Sequence, residues 1–122
     1  MFVTHIISGN DFERAVLSLV LGAYAYTVQC YDAMTDFANA ENNAPGCVIL
    51  EVNERMLTQT DLSERLSALR QRFPLILMAD ERVAPRLPRT VPGLALPVIR
   101  RPVEKSELLN LLQSLRDAQS VG

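Results

Sequence analysis

The run Gly46-Cys47-Val48-Ile49-Leu50-Glu51-Val52 carries a single charged side chain, Glu51, and follows the turn cluster Asn42-Asn43-Ala44-Pro45-Gly46. An apolar run bounded by turns suits a central parallel strand buried on both faces. Such a strand forces the rest of the chain to supply two covering layers. Four further runs read as strands, over residues 2–7, 26–31, 75–78 and 94–99. Helical patterns stand between them, so strand and helix alternate along the chain.

The first helix opens at Asn10, with Glu13 three residues later as in a capping box, and stops at Gly22. Phe12, Val16, Leu19 and Val20 form its expected inward stripe. A short helix is expected over 33–41. Residues 53–59 read as a loop. The next helix opens at Asp61 and runs to about Phe73, where Pro74 follows, with Leu62, Leu66 and Leu69 inward. Pro85, Pro88 and Pro92 break residues 80–93, because each proline removes a donor and clashes with the preceding turn. The last helix spans 106–118, with Leu108, Leu109, Leu111, Leu112 and Leu115; one of its faces must cover the sheet.

Five strands alternating with helices predict an α/β sandwich of three layers around a parallel sheet. At 122 residues the common solution is the flavodoxin-like order 2-1-3-4-5, here with a shortened or irregular fourth helix, in one domain over 1–122. A site in such a sheet lies beyond the carboxyl ends of the strands. Those ends carry Ser8-Gly9-Asn10, Glu51, Ala79-Asp80 and Arg101.

Composition narrows the function classes. Hydrophobic residues make up 48% and charged residues 21%, ordinary for a globular chain. Cys30 and Cys47 sit in apolar runs and read as buried, reduced thiols. One His and no Cys-x-x-Cys give no metal spacing. His5 on the first strand reads as packed or at the surface rather than as a phosphodonor. Tyr24, Tyr26 and Tyr31 read as packing residues. The apolar stretch 17–23 is too short for a membrane span, so a cytoplasmic chain without membrane contact is expected. Residues 1–61 hold eight acids and two bases and residues 62–122 hold six acids and ten bases, giving −6 and +4. No aromatic residues interleave with the bases, so the basic half reads as a solvated face and not as a nucleic-acid site.

Two strand ends carry a resemblance. Glu51 closes the third strand, and Arg100-Arg101-Pro102 follows the fifth, fifty positions on. With Phe73-Pro74-Leu75-Ile76-Leu77-Met78 entering the fourth strand, the chain resembles over nearly its whole length the receiver domain of two-component response regulators, closest to receivers that precede a helix-turn-helix output domain. The resemblance implies a phosphoacceptor Asp where Glu51 stands and a Lys-Pro where Arg101-Pro102 stands. It places the metal-binding acid pair at Ser8 and Gly9, counting back from Arg14. The switch hydroxyl falls at Ala79 and the switch aromatic near Val98. Pro102 keeps the family pattern, but the acceptor, the lysine, the metal pair, the hydroxyl and the aromatic all depart from it, so a degenerate receiver, a pseudo-receiver, is expected.

Glutamate is one methylene longer than aspartate, and misplacement of that order costs about 10²-fold in reactivity. Mg²⁺ wants hard oxygen ligands, which Ser8 and Gly9 do not supply with useful charge. Asn10 and Asp11 read as helix caps. No cofactor, metal or enzymatic activity is expected. Glu51 has two readings: a carboxylate that mimics part of a phospho-aspartate and fixes one conformation with Arg101, or a strand-end acid neutralised by a neighbouring base. Function is expected in phosphorylation-independent protein contacts, with a protein partner or a second copy, in transcription control. DNA would be reached only through an output domain beyond this chain, as in a longer regulator. Arg82, Arg86, Leu87 and Arg89, around the prolines, are the expected interaction surface within 82–101. The alternative class is a small-ligand protein or enzyme on the same fold, but the chain has no glycine-rich phosphate loop and no Ser-His-Asp set.

Overall fold

The structure, a computed structural model, describes residues 2–39 and 44–120. Asn42 and Asn43 of the expected turn and Glu41 of the expected second helix lie outside the described residues. Five strands, β1 (Val3–Ile7), β2 (Thr27–Tyr31), β3 (Gly46–Glu51), β4 (Leu75–Ala79) and β5 (Val98–Arg100), form one sheet. Their order is β2-β1-β3-β4-β5 and each neighbouring pair is parallel, as the alternation of elements requires. The helices are α1 (Asp11–Ala23), α2 (Met34–Asn39), α3 (Glu54–Leu57), α4 (Leu62–Arg72), α5 (Leu87–Thr90) and α6 (Lys105–Ser120).

The strands send alternate side chains to two cores. Ile6, Ile49, Ile76, Met78 and Ile99 meet Leu17 and Leu21 of α1 and Leu108 and Leu112 of α6. Ile7, Val48, Leu50, Leu75 and Leu77 meet Phe37 of α2, Leu62, Leu66 and Leu69 of α4, and Leu87 of α5. Complete burial of residues 47–50 follows from this double cover.

Several sequence expectations are corrected. Helix α1 turns Leu17 and Leu21 to the sheet and leaves Phe12, Val16 and Leu19 exposed. Its sequence is apolar on two faces, and periodicity alone does not say which one the sheet takes. Residues 53–59 contain a one-turn helix, α3, because the Asn53 side chain caps it by accepting the Met56 N–H at 3.0 Å. Strand β5 is three residues long and not six, since residues 94–97 stay irregular around Ala95 at φ 46°. Cys30 and Tyr24 are exposed rather than buried.

The proline segment forms two single turns: a 3₁₀ turn, Ala84–Arg86, and then α5. Pro85 and Pro88 each sit in the first positions of their turn, where a helical N–H has no partner to lose. The shortened fourth helix of the sequence reading is therefore present. Its apolar residues point the other way, however. Val83, Leu87 and Val91 fall four apart and all turn inward, leaving Leu87 only 2% exposed. Leu87 thus belongs to the core and leaves the expected interaction surface, whereas Arg82, Arg86 and Arg89 remain exposed.

Helix α1 ends on a left-handed residue that is not glycine, Ala25 at φ 65°. The turn is fixed by Tyr26 N–H donating to the Leu21 carbonyl and Ala25 N–H donating to that of Gly22. Left-handed backbone costs an L-residue about 1–2 kcal/mol, and glycine escapes most of that despite its larger unfolded-state entropy. Ala25→Gly is expected to raise stability by about 0.5–1 kcal/mol. An unchanged or lower urea midpoint would contradict this account of the turn.

Candidate functional site

The carboxyl ends of β1, β3 and β5 converge on one cluster of charged side chains. Glu51, the last residue of β3, points its carboxylate into the loop that joins β1 to α1. Its Oε1 accepts the Gly9 N–H at 3.1 Å and lies 3.4 Å from the Ser8 hydroxyl. Its Oε2 pairs with Arg101 Nη2. Arg101 follows β5 directly, and its N–H donates to the Ala79 carbonyl at 3.0 Å, which fixes its place beside β4. The Arg101-Pro102 peptide bond is cis.

Glu13 completes the cluster. Arg101 Nε donates to Glu13 Oε2 at 2.6 Å and Nη2 donates to Glu13 Oε1 at 2.5 Å, a two-bond fork of the kind that planar guanidinium and carboxylate groups form best. Ser8 donates its hydroxyl to Glu13 Oε1 at 3.0 Å and accepts the Asn10 N–H at 3.1 Å. Asn10 is the N-cap of α1, accepting the Glu13 N–H at 2.9 Å, as the sequence implied. The reciprocal half of the capping box is absent: the Glu13 carboxylate leaves its own helix for Arg101. Asp11 pairs with Arg14, which also reaches Asp32 at 2.9 Å.

Two carboxylates thus share one guanidinium in a partly enclosed place. The Glu51 and Glu13 side chains are each 14% exposed and that of Arg101 is 23% exposed. Hydrogen bonding to Glu13 is the largest influence on Arg101; with the bond to Glu51 it outweighs desolvation and pushes the Arg101 pKa above its ordinary value. An arginine guanidinium is protonated at ordinary pH in any case, and these bonds reinforce its charged form.

The cluster does not fit a Mg²⁺ ion. That ion takes an octahedral shell of hard oxygens, usually with one or two carboxylates. Here all four carboxylate oxygens are engaged by Arg101, Ser8 or Gly9, and the balancing positive charge already belongs to the chain. Among the described residues, no three His, Cys, Asp or Glu side chains come together as a metal-binding group.

The other singled-out residues fall as follows. Ala79 is fully buried at the end of β4, and its methyl group offers no hydroxyl. Val98 opens β5 opposite Leu77 and packs, half-buried, on the core. Asp80 accepts the N–H groups of Arg82 and Val83 at 2.9 and 3.0 Å and so caps the next turn. His5 is buried among Tyr31, Phe37 and Phe73, with Nε2 against the Ala44 carbonyl at 2.8 Å. Burial lowers its pKa from the ordinary imidazole value, outweighing the hydrogen bond to the Ala44 carbonyl, and so favours the neutral ring, in keeping with a packing role. Burial likewise pushes the Cys47 thiol up to about 12.

No protein-family model matches the sequence. Over 113 residues the chain is 23% identical to response regulator protein TodT of Pseudomonas putida, an alignment spanning 92% of this chain and 50% of that protein. It is 22% identical to response regulator protein TmoT of Ectopseudomonas mendocina, with 92% and 51% covered. The chain spans about half the length of the curated relatives it matches. A response regulator receiver protein from Pseudoalteromonas atlantica superposes with a TM-score of 0.73 at 22% identity, covering 96% of this chain and 98% of that one. The fold is that of a response-regulator receiver. Full-length FixJ from B. japonicum superposes on it with a TM-score of 0.77 at 20% identity, covering 95% of this chain and 58% of FixJ.

On the receiver fold, Glu51 and Arg101 take the strand ends that the resemblance assigned them. Glu13 is the residue that sequence reasoning missed. It read as a helix-capping residue, and its partner stands 88 positions away. The available signal was geometric: the first turn of the helix after β1 faces the carboxyl ends of the strands, where Arg101 emerges.

Proposed function

We propose that this chain is a receiver-type module of two-component, phosphorelay-type signalling that works without phosphotransfer. Glu51 stands at the acceptor position, Ser8 and Gly9 at the metal-pair positions, and Ala79, Val98 and Arg101 at the switch positions. The observation that carries the reading is the bridge Glu13–Arg101–Glu51, which occupies the strand ends with a permanent ion pair. The bridge gives the site one conformation, where a working receiver alternates between two. Of the two readings of Glu51, it favours the carboxylate that fixes a state together with Arg101.

The module acts through protein contacts and has no enzymatic role. The guanidinium groups of Arg82, Arg86 and Arg89 form its partner surface. Its sequence likeness to response regulator proteins about twice its length supports a regulatory role, which we place in the cytoplasm and in transcription control, with DNA contacted by a separate output domain. A Mg²⁺ titration followed by NMR tests the site: no saturable shift is expected at low millimolar ion. A one-site response that Glu51→Gln abolishes would contradict the proposal.

A further inference from the structure

Helices α1 and α6 pack on the same core, and a groove of about 560 Å³ lies between α1 and the start of α6. Its floor is the pair Leu17 and Leu108, both buried where the two helices meet the sheet. Val16, Val20 and Val103 also line it, and so does Phe12, which is 78% exposed. Sites for small molecules have this size and this make-up: an apolar lining with a few polar groups that fix the orientation of the ligand.

The polar side chains on the groove are Asn10, Glu13, Arg101 and Lys105. The first three already have partners. Asn10 caps α1, and Glu13 and Arg101 bond each other. Asp11, at the same end of α1, is matched by Arg14. Lys105 differs from all of these. Among the described residues no carboxylate pairs with it, and its Nζ lies over the Tyr24 ring, 5.5 Å from the ring centre. Lys105 also opens α6, whose first peptide groups add positive potential. The groove therefore joins an apolar lining to a cation that no acid of the described chain answers.

We propose that this groove binds a small organic anion, a carboxylate on an apolar chain or ring. The carboxylate pairs with Lys105, and the apolar body lies over Val16, Leu17, Val20 and Leu108. Charge selects the class: a neutral apolar molecule leaves the ammonium unanswered, and an organic cation meets repulsion. Glu13 and Arg101 line the groove as well as forming the bridge, so a bound anion stands beside the strand-end cluster. Occupancy of the groove does not depend on whether Glu51 takes phosphate.

Titration of the whole chain with octanoate, kept below its micelle concentration and followed by protein NMR, tests this, with circular dichroism to verify that each variant folds. A saturable one-site shift is expected, centred on residues 12–20 and 101–108. Affinity should rise about three- to fourfold for each methylene from hexanoate to octanoate, as burial of the chain requires. Octanol and octylammonium should each bind about threefold or more weakly than octanoate. Lys105→Glu alters an exposed position and should reverse the order, favouring octylammonium over octanoate. Leu19→Ser, exposed and outside the groove, should change nothing. The absence of a saturable response, equal affinity for all three head groups, an order of preference that Lys105→Glu leaves as it was, or binding that Leu19→Ser removes would overturn the proposal.

Discussion

Gly46→Ala is expected to prevent stable folding, at a cost above about 4 kcal/mol. A Cβ built at Gly46 would lie 1.8 Å from the Val3 carbonyl oxygen and 2.6 Å from the Val3 nitrogen and carbonyl carbon. These are backbone atoms, so no rotamer change relieves the clash. Val3 is held in place by its pairing with Thr27 on one side and Gly46 on the other, and by its N–H bond to the Pro45 carbonyl at 2.9 Å. Relief would require β1 and β3, two inner strands, to separate. Gly93 provides the comparison. It is left-handed, at φ 82°, but nothing lies within 4 Å of a Cβ there. Gly93→Ala should therefore cost only about 1 kcal/mol, from backbone strain alone. Urea unfolding separates the two variants. A Gly46→Ala midpoint close to wild type would refute the tight β1–β3 contact.

The second large effect is expected at Arg101. Arg101→Met leaves Glu13 and Glu51 facing each other with only the Ser8 hydroxyl and the Gly9 N–H between them. Breaking a buried pair from one side costs about 3–5 kcal/mol, and the partial exposure of this site reduces that to about 2–4 kcal/mol at neutral pH. Arg101→Lys keeps the charge but loses the planar fork that reaches both carboxylates, so about 1–2 kcal/mol is expected. Adding Glu13→Gln and Glu51→Gln to Arg101→Met removes the unbalanced charges and should recover at least half the loss, a coupling that independent sites would not display. Equal midpoints for wild type and Arg101→Met would mean that the bridge contributes nothing.

The sheet was legible in the sequence because buried parallel strands leave so strong a mark. Residues 47–50 have no polar position, and turns or helices separate the five runs cleanly. Glu51 and Arg101 were legible because strand ends are fixed points of the fold. Faces were harder to read. Helix α1 offers Leu17 and Leu21 on one side and Phe12, Val16 and Leu19 on the other, and only the packed structure selects the first. The proline segment misled in the opposite sense. Pro85 and Pro88 rightly marked a shortened or irregular helix, but Leu87 reads in the sequence as an outward contact residue, whereas the prolines' place in the first turns lets Val83, Leu87 and Val91 repeat every fourth residue and enter the core. Glu13 remained hidden because its local role, capping, explained its presence completely. Nothing in a linear reading ties the third residue of α1 to a cation after β5.

The central claim is that the Glu13–Arg101–Glu51 bridge stands in place of phosphotransfer. Incubation of the whole chain with acetyl phosphate and Mg²⁺, followed by intact-mass measurement, tests it most directly. The mass should remain that of the unmodified chain. A stoichiometric adduct of one phosphoryl group mapping to Glu51 would contradict the claim.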